Sequence, residues 1–249
     1  MTFREKTLFS YHPNNFVAIL MKKIVLKFGG SVLYKEEMIL NVERIKEIVE
    51  TINTLHEAGH KIAVVVGGGK LARVIIQASD VLGHVSTFKD ILAVESTRIH
   101  ALLIIASLHN KAYLLVPRSF EEIGEALSSG KIVVTGGLQP GQSTNAVAAL
   151  LAEYWGADML INLTNVDKVY DKDPNQYEDA KPLDIISADQ LLDIISQQDE
   201  EPGKYALFDR VGCEIVKRSD LRLIFTNGSE PKNILRIVDG EKIGTVVQG

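Results

Sequence analysis

The sequence predicts an α/β fold whose mainly parallel sheet is covered by helices on both faces. Three observations carry that expectation. From residue 21 onward, short β-branched runs alternate with longer segments of helical period. Most of the short runs are apolar on both sides, as strands of a doubly covered parallel sheet must be. Glycine clusters fall between a strand and the following helix, where α/β folds bind ligands.

Each element has its own signal. Strands are expected at 23–28, 61–66, 111–116, 131–135, 159–164 and 221–226, each rich in Ile, Val or Leu. The first helix places Val42, Ile45, Ile48, Val49, Ile52 and Leu55 on one face and stops before Gly59, a residue suited to a left-handed cap. Further helices are expected at 71–82, 88–108, 144–155, 187–196 and 209–218. Ser187 is placed to cap the fifth of these six, with Gln190 completing a capping box. Residues 197–204 are polar, contain Pro202 and Gly203, and read as a mobile loop. No repeat or low-complexity linker divides the chain.

Composition narrows the function. A chain of 249 residues lies near the upper limit for one hydrophobic core and has room for an enzyme. The 27 Lys and Arg are outnumbered by 32 Asp and Glu, without a basic run, so nucleic acid is not expected as a partner. No uninterrupted apolar run approaches the ~20 residues of a bilayer span, and no membrane role is expected. The single Cys213 forms no internal disulfide and suits a reducing cytoplasm. Residues 1–20 read as an extension, from an upstream translation start or appended sequence, because Met21 directly precedes the first strand; residues 21–249 read as one domain.

The glycine clusters are Gly29-Gly30-Ser31, Gly67-Gly68-Gly69 and Gly136-Gly137-Leu138-Gln139-Pro140-Gly141-Gln142-Ser143-Thr144. Each by itself is also what a strand-to-helix turn needs. Together, with Lys27 ending the first strand and Arg73 in the first turns of the second helix, they form a convergent anion site. No G-x-x-x-x-G-K-[ST] loop, G-x-G-x-x-G fingerprint or G-x-S-x-G elbow is present. What remains is a phosphate-handling site built from loops and cations, where in-line phosphoryl transfer would need alignment and charge neutralisation more than covalent help from the protein. After the strand at 159–164, the segment Thr164 to Pro174 holds Asp167, Asp171, Asp173 and Tyr170. Its acids suit turns or water-mediated Mg²⁺ contacts, and no direct metal ligand is expected among them. Thr164 and Tyr170 suit a nucleotide edge, and Asp90 opens a helix where an acid is favoured by the dipole alone.

In order, Lys-Phe-Gly-Gly-Ser at 27–31, Val-Val-Gly-Gly-Gly-Lys-Leu-Ala-Arg at 65–73, Thr-Phe-Lys-Asp at 87–90, Thr-Gly-Gly-Leu-Gln-Pro-Gly-Gln-Ser-Thr at 135–144 and Thr-Asn-Val-Asp at 164–167 resemble motifs of the amino acid kinase superfamily, archaeal-type UMP kinases in particular. The resemblance implies a three-layer αβα domain with a roughly eight-stranded sheet, ATP and UMP as substrates, Mg²⁺ arriving as MgATP, and a homohexamer. It implies Lys27 and Arg73 as the catalytic cations. Gly30, Ser31, Gly69, Arg73, Thr164, Tyr170 and Asp173 would meet ATP. Gly68, Asp90 and the stretch Leu138, Gln139, Pro140, Gly141, Gln142, Ser143, Thr144 would meet UMP. The sequence departs from the family at Asn145, where many members carry Asp, at Lys168, where Gly is usual, and at 208–212. Isopentenyl phosphate kinases share the fold, but the chain lacks their Ser-Phe-Gly-His continuation. A non-catalytic nucleotide- or oxyanion-binding oligomer is the reading from another class.

Overall fold

The computed structural model describes residues 20–35, 38–174, 176–198 and 207–249. The elements are β1 (Lys23–Phe28), α1 (Val42–Glu57), β2 (Lys61–Val66), α2 (Gly69–Val81), α3 (Ser86–Leu108), α4 (Phe120–Ser128), β3 (Val133–Thr135), α5 (Thr144–Trp155) and β4 (Met159–Thr164). They continue with β5 (Val169–Tyr170), β6 (Pro182–Leu183), β7 (Ile185–Ser187), α6 (Ala188–Gln198), α7 (Arg210–Ser219), β8 (Leu223–Asn227), α8 (Asn233–Val238) and β9 (Thr245–Gln248).

Among the described residues the main sheet has seven strands in the order β3-β2-β1-β4-β8-β9-β7, parallel throughout except for the β8–β9 pair. A separate hairpin joins β5 to β6. Alternation along the strands divides the interior in two. Ile24, Leu26 and Phe28 face α1, α3 and α8, whereas Val25 faces the layer formed by α4, α5, α6 and α7. Lys27 stands on the Val25 side, so the chain's one interior lysine of β1 points under α5 and α7.

Local signals set many helix ends. Asn41 caps α1 through its side chain, Ser143 caps α5, and Asp209 caps α7. The Ser187–Gln190 capping box is present in both directions, at 2.8 and 3.1 Å. Gly156 ends α5 with φ of 61°.

The expected strand at 111–116 does not form. Only Ala112 bridges Ile132, after which the chain leaves the edge of the sheet with Leu114 and Leu115 exposed. An apolar run alone cannot distinguish an edge strand from a surface segment. The second helix starts at Gly69 rather than residue 71, so the glycine cluster forms its amino end. Helices α4 and α8 and the strands β5, β6, β7 and β9 have short sequence patterns and were not expected. The 197–204 loop lies largely outside the described residues, as do residues 1–19 of the proposed extension.

Candidate active site

The carboxyl ends of β1 and β2 bring the first two glycine clusters into backbone contact. A Cβ on Gly30 would lie 2.3 Å from the Gly67 carbonyl oxygen, and one on Gly69 would lie 2.2 Å from the Gly30 carbonyl carbon. Gly69 also has φ of +52°. Any side chain at either position would separate the loops. The third cluster joins them from β3, with the Thr144 hydroxyl close to Gly67. The N–H groups of Gly30, Ser31, Gly68 and Gly69 make no hydrogen bond to the described residues. Where the loops meet, the protein therefore presents donors suited to an anion.

Beside these loops lies a cavity of about 390 Å³ lined by Gly68, Gly69, Asp90, Gln139, Gly141, Gln142, Ser143 and Thr144, with Ala93, Val94 and Thr97 of α3. The third loop is held over α3 by three contacts. Gly141 N–H donates to Asp90 Oδ2 at 3.0 Å, Arg98 donates to the Leu138 carbonyl at 2.9 Å, and Gly137 N–H donates to the Thr97 hydroxyl at 2.6 Å. Leu138 and Pro140 belong to this loop but do not line the cavity. A second cavity of about 310 Å³ includes Ser31, Tyr34, Arg44 and Thr164. Thr164 is buried and folds its hydroxyl onto Val166. Tyr170 donates to Asp167 at 3.0 Å, and Asp173 accepts from Gln176 at 3.1 Å; both residues lie beyond the two cavities, on and next to the β5–β6 hairpin.

The electrostatic centre is Lys27, only 8% exposed. Its ammonium forms no ion pair with a described residue, and its Nζ lies 4.0 Å from the position a Gly29 Cβ would take. Burial brings its pKa from 10.5 down to about 8, opposed by the Asp209 carboxylate. Asn162, its partner in the β1–β4 register, shares its face, and the buried Oδ1 of Asn162 has no partner. The same holds for Oδ1 of Asn145 in the first turn of α5. Buried polar groups without partners are costly, so both oxygens are available to accept from a bound group.

Arg73 is exposed on α2 and makes no hydrogen bond or ion pair with the described residues. An unengaged guanidinium beside a helix amino terminus is badly placed for the dipole unless an anion binds there.

Asp209 was missed as a site residue. It caps α7 by accepting from Gly212 N–H at 2.9 Å, accepts the Ser143 hydroxyl, and so links the amino ends of α7 and α5 next to Lys27. In the sequence it is one acid among many; only the fold sets it beside a lysine far away in the chain. Arg98, Thr97 and His100 were missed for a similar reason, since α3 reads as a core helix.

An αβα sheet with glycine loops gathered over a buried lysine defines a phosphate-handling enzyme scaffold. Residues 22–227 match the amino acid kinase family, and the chain belongs to that family. It is 44% identical over 225 residues to the uridylate kinase of Methanobrevibacter smithii, covering 90% of this chain and 98% of that protein. The uridylate kinase of Hyperthermus butylicus is 41% identical over 226 residues, covering 91% of this chain and 98% of that one. Among solved structures, uridylate kinase from Archaeoglobus fulgidus superposes with a TM-score of 0.81 at 40% identity, covering 90% of this chain and 99% of that chain.

Proposed function

We propose that the protein is a uridylate kinase that transfers the γ-phosphoryl of MgATP to UMP, giving UDP and ADP. The observation that carries this reading is the meeting of the glycine loops beside a buried ammonium that no described carboxylate pairs directly, within a chain about 40% identical to uridylate kinases along most of its length. Direct transfer needs two phosphates in line and positive charge on the moving group. Gly30, Ser31 and Lys27 serve the donor side, with Thr164, Tyr170 and Asp173 toward the nucleotide. Gly68, Asp90 and the 138–144 loop hold the acceptor, and Gly69 and Arg73 meet the phosphoryl between them. Release of ADP that depends on UMP and Mg²⁺, with sequential kinetics, is the test. Ping-pong kinetics or an isolable phosphoprotein would sink the direct mechanism.

Asp90 gives the acceptor side its own prediction. One of its oxygens holds Gly141 N–H, leaving the other for the UMP ribose. A hydrogen bond to a charged group contributes about 1.5 to 3 kcal/mol, so dUMP should be roughly tenfold to a hundredfold poorer than UMP in kcat/KM. Asp90→Ala loosens the loop for both substrates but should narrow the UMP to dUMP ratio. A ratio unchanged at saturating ATP would reject the ribose contact.

The reading extends to assembly and location. Helix α3 is long and apolar enough to span a bilayer, yet Val94, Ala101, Ile104, Ile105 and Leu108 are buried in the core. Its outer face and the neighbouring turn expose Val81, Leu82, Val85, Phe88, Ile99 and Leu102. Such a face favours burial against further copies, in keeping with a homohexamer, and a monomeric mass by light scattering would reject that. Residues 21–249 are taken as one domain, since both apolar layers share one sheet. Cytoplasmic residence suits Cys213, whose thiol is kept protonated by burial, which with Asp209 and Glu214 pushes its pKa up to about 12.

A further inference from the structure

Besides lining the acceptor cavity, α3 carries His100, 2% exposed, less than one turn past Thr97. Its Nδ1 lies 2.9 Å from the Gly67 carbonyl oxygen, and its Nε2 lies 2.8 Å from the Tyr34 hydroxyl. The two rings also meet edge to face, their centroids 5.5 Å apart. A backbone carbonyl only accepts, so Nδ1 carries the ring proton. Burial holds the imidazole below the ordinary histidine pKa, opposed by the Gly67 bond. The ring is therefore neutral, Nε2 accepts, and Tyr34 donates.

This relay joins the two sides of the site. Tyr34 follows the donor-side Gly29-Gly30-Ser31 cluster, and Gly67 opens the acceptor-side cluster. The Gly67–Gly68 peptide is planar and trans, so its carbonyl and N–H point in opposite directions. Fixing the Gly67 oxygen toward His100 thus fixes the Gly68 N–H away from it. Flanked by glycines, that peptide has no side chain of its own to restrict its rotation.

We propose that His100 is a positioning residue: its Nδ1–H, steadied by Tyr34, locks the Gly67–Gly68 peptide so that the Gly68 N–H stays aimed at the phosphates. The proposal rests on the phosphoryl-transfer reading of the cavity. Asn at this position keeps a donor near Nδ1, whereas Gln reaches toward Tyr34 and leaves the Gly67 oxygen unpaired. His100→Asn should retain kcat within about threefold of the parent, and His100→Gln should lose roughly tenfold, with KM for UMP raised and KM for ATP little changed. Equal kcat in the two variants, or losses that follow Tm instead of the retained donor, would overturn it. Nitrogen NMR of the parent ring should show the Nδ1-protonated tautomer, and an Nε2-protonated ring would also overturn it.

Absence of UMP turnover by the parent would remove the kinase reading and leave the relay to a separate probe. Inorganic pyrophosphate should then shift the Gly68 amide resonance in the parent and in His100→Asn, and less in His100→Gln. Equal shifts in all three would reject the relay.

Discussion

Arg73→Ala is expected to lower kcat by about a hundredfold or more, the scale for losing one preorganised contact to charge developing in a transition state. Its fold should be untouched. Arg73 is exposed and contacts no described residue through a hydrogen bond or ion pair, and a surface change of this kind alters stability by no more than about 0.5 kcal/mol. Equal Tm values would thus assign the loss to chemistry. Steady-state kinetics with UMP and MgATP is the measurement, and a kcat within about threefold of the parent would reduce Arg73 to a solvated surface cation.

Lys27→Met should separate activity from stability more sharply. Loss of the ammonium is expected to reduce kcat by about a hundredfold or more, because no other described cation lies buried between the loops. Stability should move the other way. A lysine whose pKa falls from 10.5 unfolded to about 8 folded destabilises the native state, on the order of 3 kcal/mol at neutral pH. That penalty is complete below about pH 8 and fades as pH rises toward 10.5, since the unfolded chain then binds more protons than the folded one. Methionine fills a similar volume without charge, so Tm at neutral pH should rise while turnover falls.

The same group sets a pH profile. In the parent, kcat/KM for ATP should decline above about pH 8 as the free enzyme loses the Lys27 proton. Asp209→Asn removes the carboxylate that supports the ammonium, so the decline should begin at lower pH. It keeps an acceptor for the Gly212 cap, which separates charge from helix capping. A profile identical to the parent's would show that Lys27 is not the titrating group or that Asp209 does not act on it.

Helix α5 has the bounds expected of it, 144–155, and the structure shows that what sets them is local: Ser143 caps one end and Gly156 closes the other in the left-handed region. Equally legible were the central strands and the glycine loops at their ends, since strand apolarity and backbone freedom are properties of a few adjacent residues. The apolar segment at 111–116 shows the limit, because whether such a run pairs depends on a neighbour beyond the sheet edge that its own residues do not specify.

By itself, then, the sequence determined the alternation of strands and helices, the loops able to approach a phosphate, and the presence of Lys27 and Arg73 near them. Only the tertiary structure decided the state of those groups. Lys27 loses much of its proton affinity because the fold buries it, and Asp209 answers it from 182 positions later in the chain. His100 becomes a link between two loops only when α3 packs across β2. Desolvation and hydrogen bonding act through space over a few ångströms, and a linear pattern carries no distance between residues that the fold alone makes neighbours.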